Sequence, residues 1–566
     1  MTNDKAHIFI MKRKNIVFKA LTCGLASLAM TACTDTWNDH YQSKPELNAT
    51  ETLWDLIQAD PELNQFEAYV KATGYDVNLS QNRFFTVWAP VDGSDFYATH
   101  PLEGVSDSMI NVYKMEFVEN HIADYNHTAS GTMSDNKVKM LNGKFNRFES
   151  EADSYLFKGA LVKDANITAK NGLLHKTEGY AVFTANIWEQ LAKVDSLSLL
   201  NEFLKSYDEI IFDELNSVKG PIVGGQVTYL DSVIIEDNDW FGRFGDISLE
   251  DSSYTMFAPT NKAWREMHEK VKAYFVYDKS NTLGDSLQDV MAKDYMCRFL
   301  VFSNSMQKSP TDSLTAYCFT NIHNGNGMMK EKFTAKDEEL KALYNNLLES
   351  QELSNGTLNI VDSYNFPSRI WHDTLRVEGE SLLSRTDNAA LSADEYSKCS
   401  KETPSVSKDS TAWYKQTHNG TVGVYAPLTK TGKPEVTFTF TNVLSAKYRV
   451  KVVFVPKNYL NPRDTLLLPN KFKAELSYRN EKGKATKISV GKELYNDPTR
   501  VDTLTLVPDD AAEGVDYFEF PYNEFNLSDT ETKHTQLKLT CTMGSKDEEH
   551  DRTFRIDQVF LEPVIE

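Results

Sequence analysis

The sequence predicts a multidomain protein of two α+β domains followed by an all-β sandwich. Three observations predict it. One strand phrase is written twice, FFTVWAPVDGSDF at 84–96 and YTMFAPTNKAW at 254–264, with Thr86 and Thr255 lying 169 positions apart. Matching segments keep step around both copies. From about Trp371 the chain changes to short, mostly alternating strands. At 566 residues it is too long for one core, and an apolar fraction of 41% is enough to fill several.

Residues 1–32 read as an export signal. Met11-Lys12-Arg13-Lys14 opens a basic head, ALTCGLASLAM is a short apolar middle, and Thr31-Ala32 are small residues before Cys33. The apolar stretch is too short to span a bilayer, which takes about twenty residues. Met30-Thr31-Ala32-Cys33 resembles a bacterial lipobox, with Met where Leu is usual. The resemblance implies that Cys33 is lipid-modified and becomes the first residue. Two or more acyl chains hold a protein on a membrane almost permanently, at about 0.8 kcal/mol per buried CH₂. Residues 33–50 are polar and acidic and read as a flexible tether. Acidic residues just after such a Cys resemble export tags, which implies an outer-membrane protein facing the cell exterior.

Residues 51–185 and 186–370 are the two copies. ETLWDLIQADPELNQFEAYVKATG (51–74) answers NIWEQLAKVDSLSLLNEFLKSYD (186–208), each with apolar residues at helical spacing. Breaks at Asp60-Pro61 and near Asp195-Ser196 split each into two short helices. FVENHIADYN (117–126) answers RFLVFSNSM (298–306). NITAKNGLLHKTEGY (166–180) answers ELSNGTLNIVDSY (352–364), where an Asn-Gly turn leads into an alternating strand. Pro90 and Pro259 end the core strands because they lack a ladder N–H. This order of segments resembles the fasciclin domain, and YTMFAPTNKAW is close to its signature. The resemblance implies a small twisted β-sandwich packed on short helices, usually non-catalytic and often adhesive. Members that use a Tyr-His pair for adhesion are not matched here, because Asn120-His121 stands at that place. The second copy carries an insertion before its core strand, read as a hairpin beside an acidic loop. Its Glu236, Asp237, Asp239 and Asp246 lack the spacing of a calcium loop.

Residues 371–566 hold VTFTFTN, YRVKVVFVP, FKAELSY, DTLTLV, YFEFP, TQLKLTCTM and FRIDQVFLEP, separated by turn-forming residues. The last phrase resembles the final strand of galactose-binding-like jelly rolls, which implies a carbohydrate-binding role. Sugar recognition needs an open aromatic face flanked by polar groups. Trp413, Tyr414, Tyr425, Tyr459 and Arg463 are the candidates on sequence grounds.

The net charge of −21 becomes −25 once the +4 of residues 1–32 is removed, which argues against nucleic acid. Cys297, Cys318, Cys399 and Cys541 permit Cys297–Cys318 and Cys399–Cys541 pairs or four buried thiols. There is no GxSxG, HExxH or GxxxxGK, and no Cys/His metal spacing. The sequence is therefore read as a non-catalytic surface lipoprotein without cofactor or metal. Its expected role is adhesion or glycan and partner binding, accessory to polysaccharide uptake. The alternative is a structural scaffold docking on an outer-membrane transporter or another lipoprotein.

Overall fold

The computed structural model describes residues 50–565 apart from 135, 224–225, 299, 304–312, 322–327, 336, 364–370, 382–390, 394–396, 404–416, 492 and 525–534. The export signal, Cys33 and nearly all of the tether lie outside the described residues, as do Trp413 and Tyr414. Among the described residues no helix is long and apolar enough to cross a membrane. Two compact units divide the chain, Met1–Thr184 and Ala185–Glu566.

The first unit begins with helices Leu53–Ala59 and Asn64–Ala72, broken at Asp60-Pro61 as the sequence predicts. Thr52 and Asp55 start the first of them with a reciprocal cap. The Thr52 hydroxyl accepts the Asp55 N–H at 3.2 Å, and the Asp55 carboxylate accepts the Thr52 N–H at 2.8 Å. Leu53, Ile57, Phe66 and Val70 turn inward against the strand Phe85–Pro90. All six residues of that strand are buried. It lies between Ile122–Asp124, antiparallel, and Gly172–Thr177, parallel, in a seven-stranded sheet.

The second unit repeats these relationships. Phe85–Pro90 runs beside Gly172–Thr177 in the register Phe85↔Gly172 to Pro90↔Thr177. Tyr254–Pro259 runs beside Gly356–Val361 in the register Tyr254↔Gly356 to Pro259↔Val361. Val301–Ser303 takes the antiparallel flank held by Ile122–Asp124 in the first unit. In each unit the parallel partner enters through a two-residue hairpin, Ala169↔Gly172 and Leu353↔Gly356. Both glycines are required sterically. A Cβ on Gly172 would lie 1.9 Å from the Phe85 carbonyl oxygen, and one on Gly356 would lie 2.1 Å from that of Tyr254. The strands after these turns are buried along their whole length rather than alternating. They sit in mid-sheet with both faces covered, and that removes the solvent side the pattern implies.

Asn171 and Asn355 close each unit in the same way. Asn171 accepts the Leu53 N–H at 2.7 Å and donates to the carbonyls of Leu79 and Gln81. Asn355 accepts the Ile187 N–H at 3.0 Å and donates to those of Ile247 and Leu249. One buried amide thereby ties a helix start, the core hairpin and a loop together.

The insertion of the second unit is a long two-stranded ribbon, Asp208–Val223 with Gln226–Asn238, followed by helix Asp239–Phe244. Asp246 is engaged by the Ser248 N–H at 3.1 Å. From Leu375 onward two antiparallel sheets enclose one apolar core. The first centres on Phe554–Pro563 beside Lys447–Phe454, and the second on Lys471–Arg479 beside Gln536–Cys541. Cys297 and Cys541 are buried thiols outside any disulfide, so of the two alternatives the sequence permits, neither the Cys297–Cys318 nor the Cys399–Cys541 pair forms.

Candidate functional site

The strands of the C-terminal sheets place two chemically distinct clusters, and the described aromatic candidates from the sequence, Tyr425 and Tyr459, fall in neither. Tyr425 is buried in the shared core, and its hydroxyl donates to the Gly379 carbonyl. Tyr459 is buried against Val422 and Val455. Neither ring offers a face to a ligand, because each sits at an inward strand or helix position where apolar burial outweighs hydroxyl exposure. Arg463 is exposed, on a turn where its N–H donates to Asn461 Oδ1 at 3.3 Å.

The first cluster is acidic and lies where Leu375–Glu378 pairs with the last strand. Asp557, from FRIDQVFLEP, is 1% exposed and accepts the His418 N–H at 3.0 Å on each oxygen. His418 Nδ1 stands 2.6 Å from Glu378 Oε1, and the Thr421 hydroxyl donates to Glu380. Among the described residues the second carboxylate oxygens of Glu378 and Glu380 have no hydrogen-bond partner. Burial and then the two neighbouring glutamates push Asp557 up to about 7, against the opposing pull of His418. Glu378 is raised for the same reasons, burial first. The cluster therefore takes up and releases a proton near neutrality. Asp557 and Glu380 are too buried to meet a polymeric substrate. Among the described residues no group of three or more His, Cys, Asp or Glu side chains is arranged to hold a metal ion. Of the acidic residues singled out in the insertion, Asp237, Asp239 and Asp246 form none either, and the Glu236 side chain lies outside the described residues.

The second cluster surrounds Tyr495 on the short strand Leu494–Tyr495, which pairs with Lys471-Phe472. Tyr495 is 43% exposed, the one open aromatic side chain among the described residues after 371. Lys471 Nζ lies 5.4 Å from its ring centroid, and the His550 ring lies 5.8 Å away. Glu493 holds Lys471 at 3.0 Å, and Asp547 holds His550 Nδ1 at 3.0 Å. Hydrogen bonds that Lys471 donates to Tyr495 and then to Glu493 push it up to about 12. An open ring edged by a cation, two carboxylates and an imidazole can stack on a sugar face while its neighbours hydrogen-bond the hydroxyls. Sequence reading missed Tyr495 because nothing in GKELYNDPTR separates an outward Tyr from an inward one. Asp557 was missed for a similar reason: alternation from Phe554 and Ile556 turns it outward, and a register shift opposite Val453 and Phe454 buries it instead.

In the first unit the aromatic core gathers on the inner strand. Trp88 is fully buried, stacked on Phe157 at 4.5 Å and on His175 at 5.5 Å between ring centroids. His121 is buried, donating through Nδ1 to the Phe117 carbonyl at 2.7 Å and accepting the Ala181 N–H on Nε2 at 2.8 Å. Compared with known protein families, residues 61–178 match the fasciclin domain. Residues 61–178 form a fasciclin domain. No curated protein matches the chain. Among solved structures, a fasciclin domain pair from the insect cell adhesion molecule fasciclin I is 12% identical, with a TM-score of 0.19. That likeness covers 55% of this chain and 98% of the other. A xylan-binding domain (CBM22-1) of Paenibacillus barcinonensis Xyn10C is 10% identical over 34% of this chain and 94% of its own, with a TM-score of 0.20. A carbohydrate-binding module specific for non-crystalline cellulose, CBM28, is 9% identical over 33% and 92%, with a TM-score of 0.14. At these scores the superpositions establish no shared fold. In the fasciclin domain the histidine beside Asn120 is an inner strut, because its ring is buried and both of its nitrogens are engaged.

Proposed function

We propose that this chain is a non-catalytic binding protein of the bacterial cell surface, lipid-anchored through Cys33 at the outer membrane and facing outward. The observation that carries the reading is the fasciclin domain at 61–178. The six-residue parallel register repeated at Tyr254–Pro259 and Gly356–Val361 supports a second such domain over 186–370. The C-terminal sheets then act as a jelly-roll module that binds polysaccharide, with Tyr495 as the stacking platform and Lys471, Glu493 and His550 as its polar rim. Such binding would hold glycan near the cell for an uptake system.

Affinity electrophoresis of the chain without residues 1–33, in gels carrying xylan, cellulose derivatives, mannan or pectin, tests the glycan role. Retardation by at least one polysaccharide is expected, and Tyr495→Ala abolishes it without changing the thermal midpoint. Unaltered mobility in every gel overturns the glycan role. Fractionation of cells expressing Cys33→Ser tests the anchor, since loss of the acylated residue moves the protein out of the membrane pellet.

A second reading, a scaffold subunit docking on an outer-membrane transporter or neighbouring lipoprotein, is favoured by the apolar side chains left open on the ribbon 208–238.

A further inference from the structure

The ribbon Asp208–Val223/Gln226–Asn238 is a two-stranded sheet joined, among the described residues, to no other strand. Both of its outer edges present unpaired ladder groups, which proteins normally cover or blunt. A two-stranded hairpin is marginal in water without a packed face. This one has its apolar side chains open. Ile210 is 77% exposed, Phe212 44% and Ile234 59%, and these three share one face because Phe212 pairs with Ile234. Ile211 and Val233 stand open on the other face.

A built bulge adds an anchor. Between the pairs Asp213↔Val233 and Val218↔Asp231, residues 214–217 loop out of the ladder. Asp213 Oδ1 accepts the N–H groups of Leu215 and Asn216 at 3.0 and 3.1 Å. The Ser217 hydroxyl donates to the Asp213 carbonyl at 2.6 Å and accepts the Val233 N–H at 2.8 Å. The side chain displayed by this pinned turn is Leu215, 95% exposed. A fixed loop that holds Leu in water is unfavourable for the isolated chain and suits an anchor for a pocket elsewhere.

Charge decides what kind of pocket. Residues 208–238 carry Asp208, Glu209, Asp213, Glu214, Asp231, Glu236 and Asp237 against Lys219, a net charge of −6. A second copy, itself at −21, is repelled. We propose that the ribbon is a docking arm for a different protein, one presenting an apolar cleft edged by Lys and Arg, with Leu215 and Phe212 as the buried anchors. This goes beyond the glycan reading and does not rest on it, because the ribbon and the Tyr495 patch share no residue.

The test uses the full-length chain in its native cells, with a photoreactive benzoyl-phenylalanine replacing Leu215, Ile210 or, as control, the open Leu466 of the C-terminal sheets. The expected result is one heteromeric adduct from positions 215 and 210 but not from 466. Its cross-linked peptide holds apolar residues flanked by Lys or Arg. The double variant Phe212→Asp/Leu215→Asp then lowers recovery of that partner about tenfold or more, as for removal of buried anchors. It keeps its thermal midpoint, since both side chains are open, and it keeps any retention on polysaccharide. Adducts to a second copy of this chain, to an acidic or wholly polar surface, equally from Leu466, or none at all, each overturn the proposal.

Discussion

Arg479 of the C-terminal sheets and Asp278, which follows helix Asn261–Lys272, form an ion pair with both side chains buried, 5% and 0% exposed. Around it, Asn523 donates its backbone and side-chain N–H groups to the Val276 carbonyl at 2.8 Å, and the Ser445 N–H reaches the Tyr274 carbonyl at 3.0 Å. The second unit is therefore tied internally by a desolvated ion pair and by half-buried backbone hydrogen bonds. Burial pushes the Asp278 carboxyl up, but hydrogen bonds from Ser280 and Arg479 outweigh it and hold the group below its ordinary value. Removing one partner strands the other charge, at a cost of about 3–5 kcal/mol. Arg479→Ala should lower the unfolding free energy of the second unit by that amount, read from its denaturant transition. Asp278→Leu combined with Arg479→Met should recover most of it, because two apolar groups of similar volume leave no orphan charge. A single variant as stable as the double would show that the pair is not desolvated.

Asn171 and Asn355 do the same work in two places, and they should fail alike. Alanine at either position leaves a helix N–H and two carbonyls without the amide that joins them. Each substitution should cost about 1–3 kcal/mol, the desolvation penalty of stranded polar groups. Hydrogen exchange by mass spectrometry localises the loss. Asn171→Ala should speed exchange at 53–57 and 79–85, and Asn355→Ala at 187–191 and 247–258. Similar loss at both sites supports the duplication at the level of physics, whereas a neutral effect at one argues that the hairpins only look alike.

Much of this was legible in the sequence, for a physical reason. A mid-sheet strand with both faces covered buries every residue, so its spelling is confined to Phe or Tyr, Thr, Val, Met, Trp, Ala and a closing Pro. That made 84–96 and 254–264 recognisable. Asp60-Pro61 marked the helix break because Pro lacks the N–H a continuing helix would use. The strand FRIDQVFLEP appears with the bounds its alternation suggests. The binding residues were less legible. Tyr425 and Tyr459 look like loop aromatics in the sequence, but cross-strand packing turns them inward, and packing is not written locally. Tyr495 and the Glu378–Glu380–Asp557 cluster arise where segments far apart in sequence meet, and that depends on strand order rather than composition.

Acid should weaken the fasciclin domain. His121 and His175 are both buried, and burial holds each down to about 4 against the opposing effect of its backbone hydrogen bond. His175 accepts the Asn166 N–H on Nδ1 at 3.2 Å and donates through Nε2 to the His127 carbonyl at 3.0 Å. Protonating either ring places a hydrogen against an N–H donor. Below about 6.5 the unfolded chain binds these protons and the folded domain does not, so stability falls from pH 6.5 down to about 4 and then levels. A difference of that size is worth about 3 kcal/mol per histidine. Exchange at 117–121 and 172–177 should accelerate over that window, and His121→Gln should remove part of the slope. A flat profile between pH 7 and 4 at these peptides refutes the account.

The acidic cluster of the C-terminal sheets should titrate the other way. Asp557 is raised to about 7 from an ordinary 3.8, by burial first and then by Glu378 and Glu380. Between those values the folded chain holds a proton that the unfolded chain has released, so this group's contribution is present at pH 4 and is lost as pH rises to 7. The change is on the order of 4 kcal/mol, shared among coupled carboxylates. Asp557→Asn keeps an acceptor for the His418 N–H and removes the titration. Its unfolding midpoint, followed by exchange at 554–561 and 417–425, should exceed that of the parent at pH 8 and differ little at pH 4.5. If parent and variant instead keep a constant separation across that range, Asp557 is ionised in the folded state throughout, and the like charges around it are balanced by something other than a shared proton.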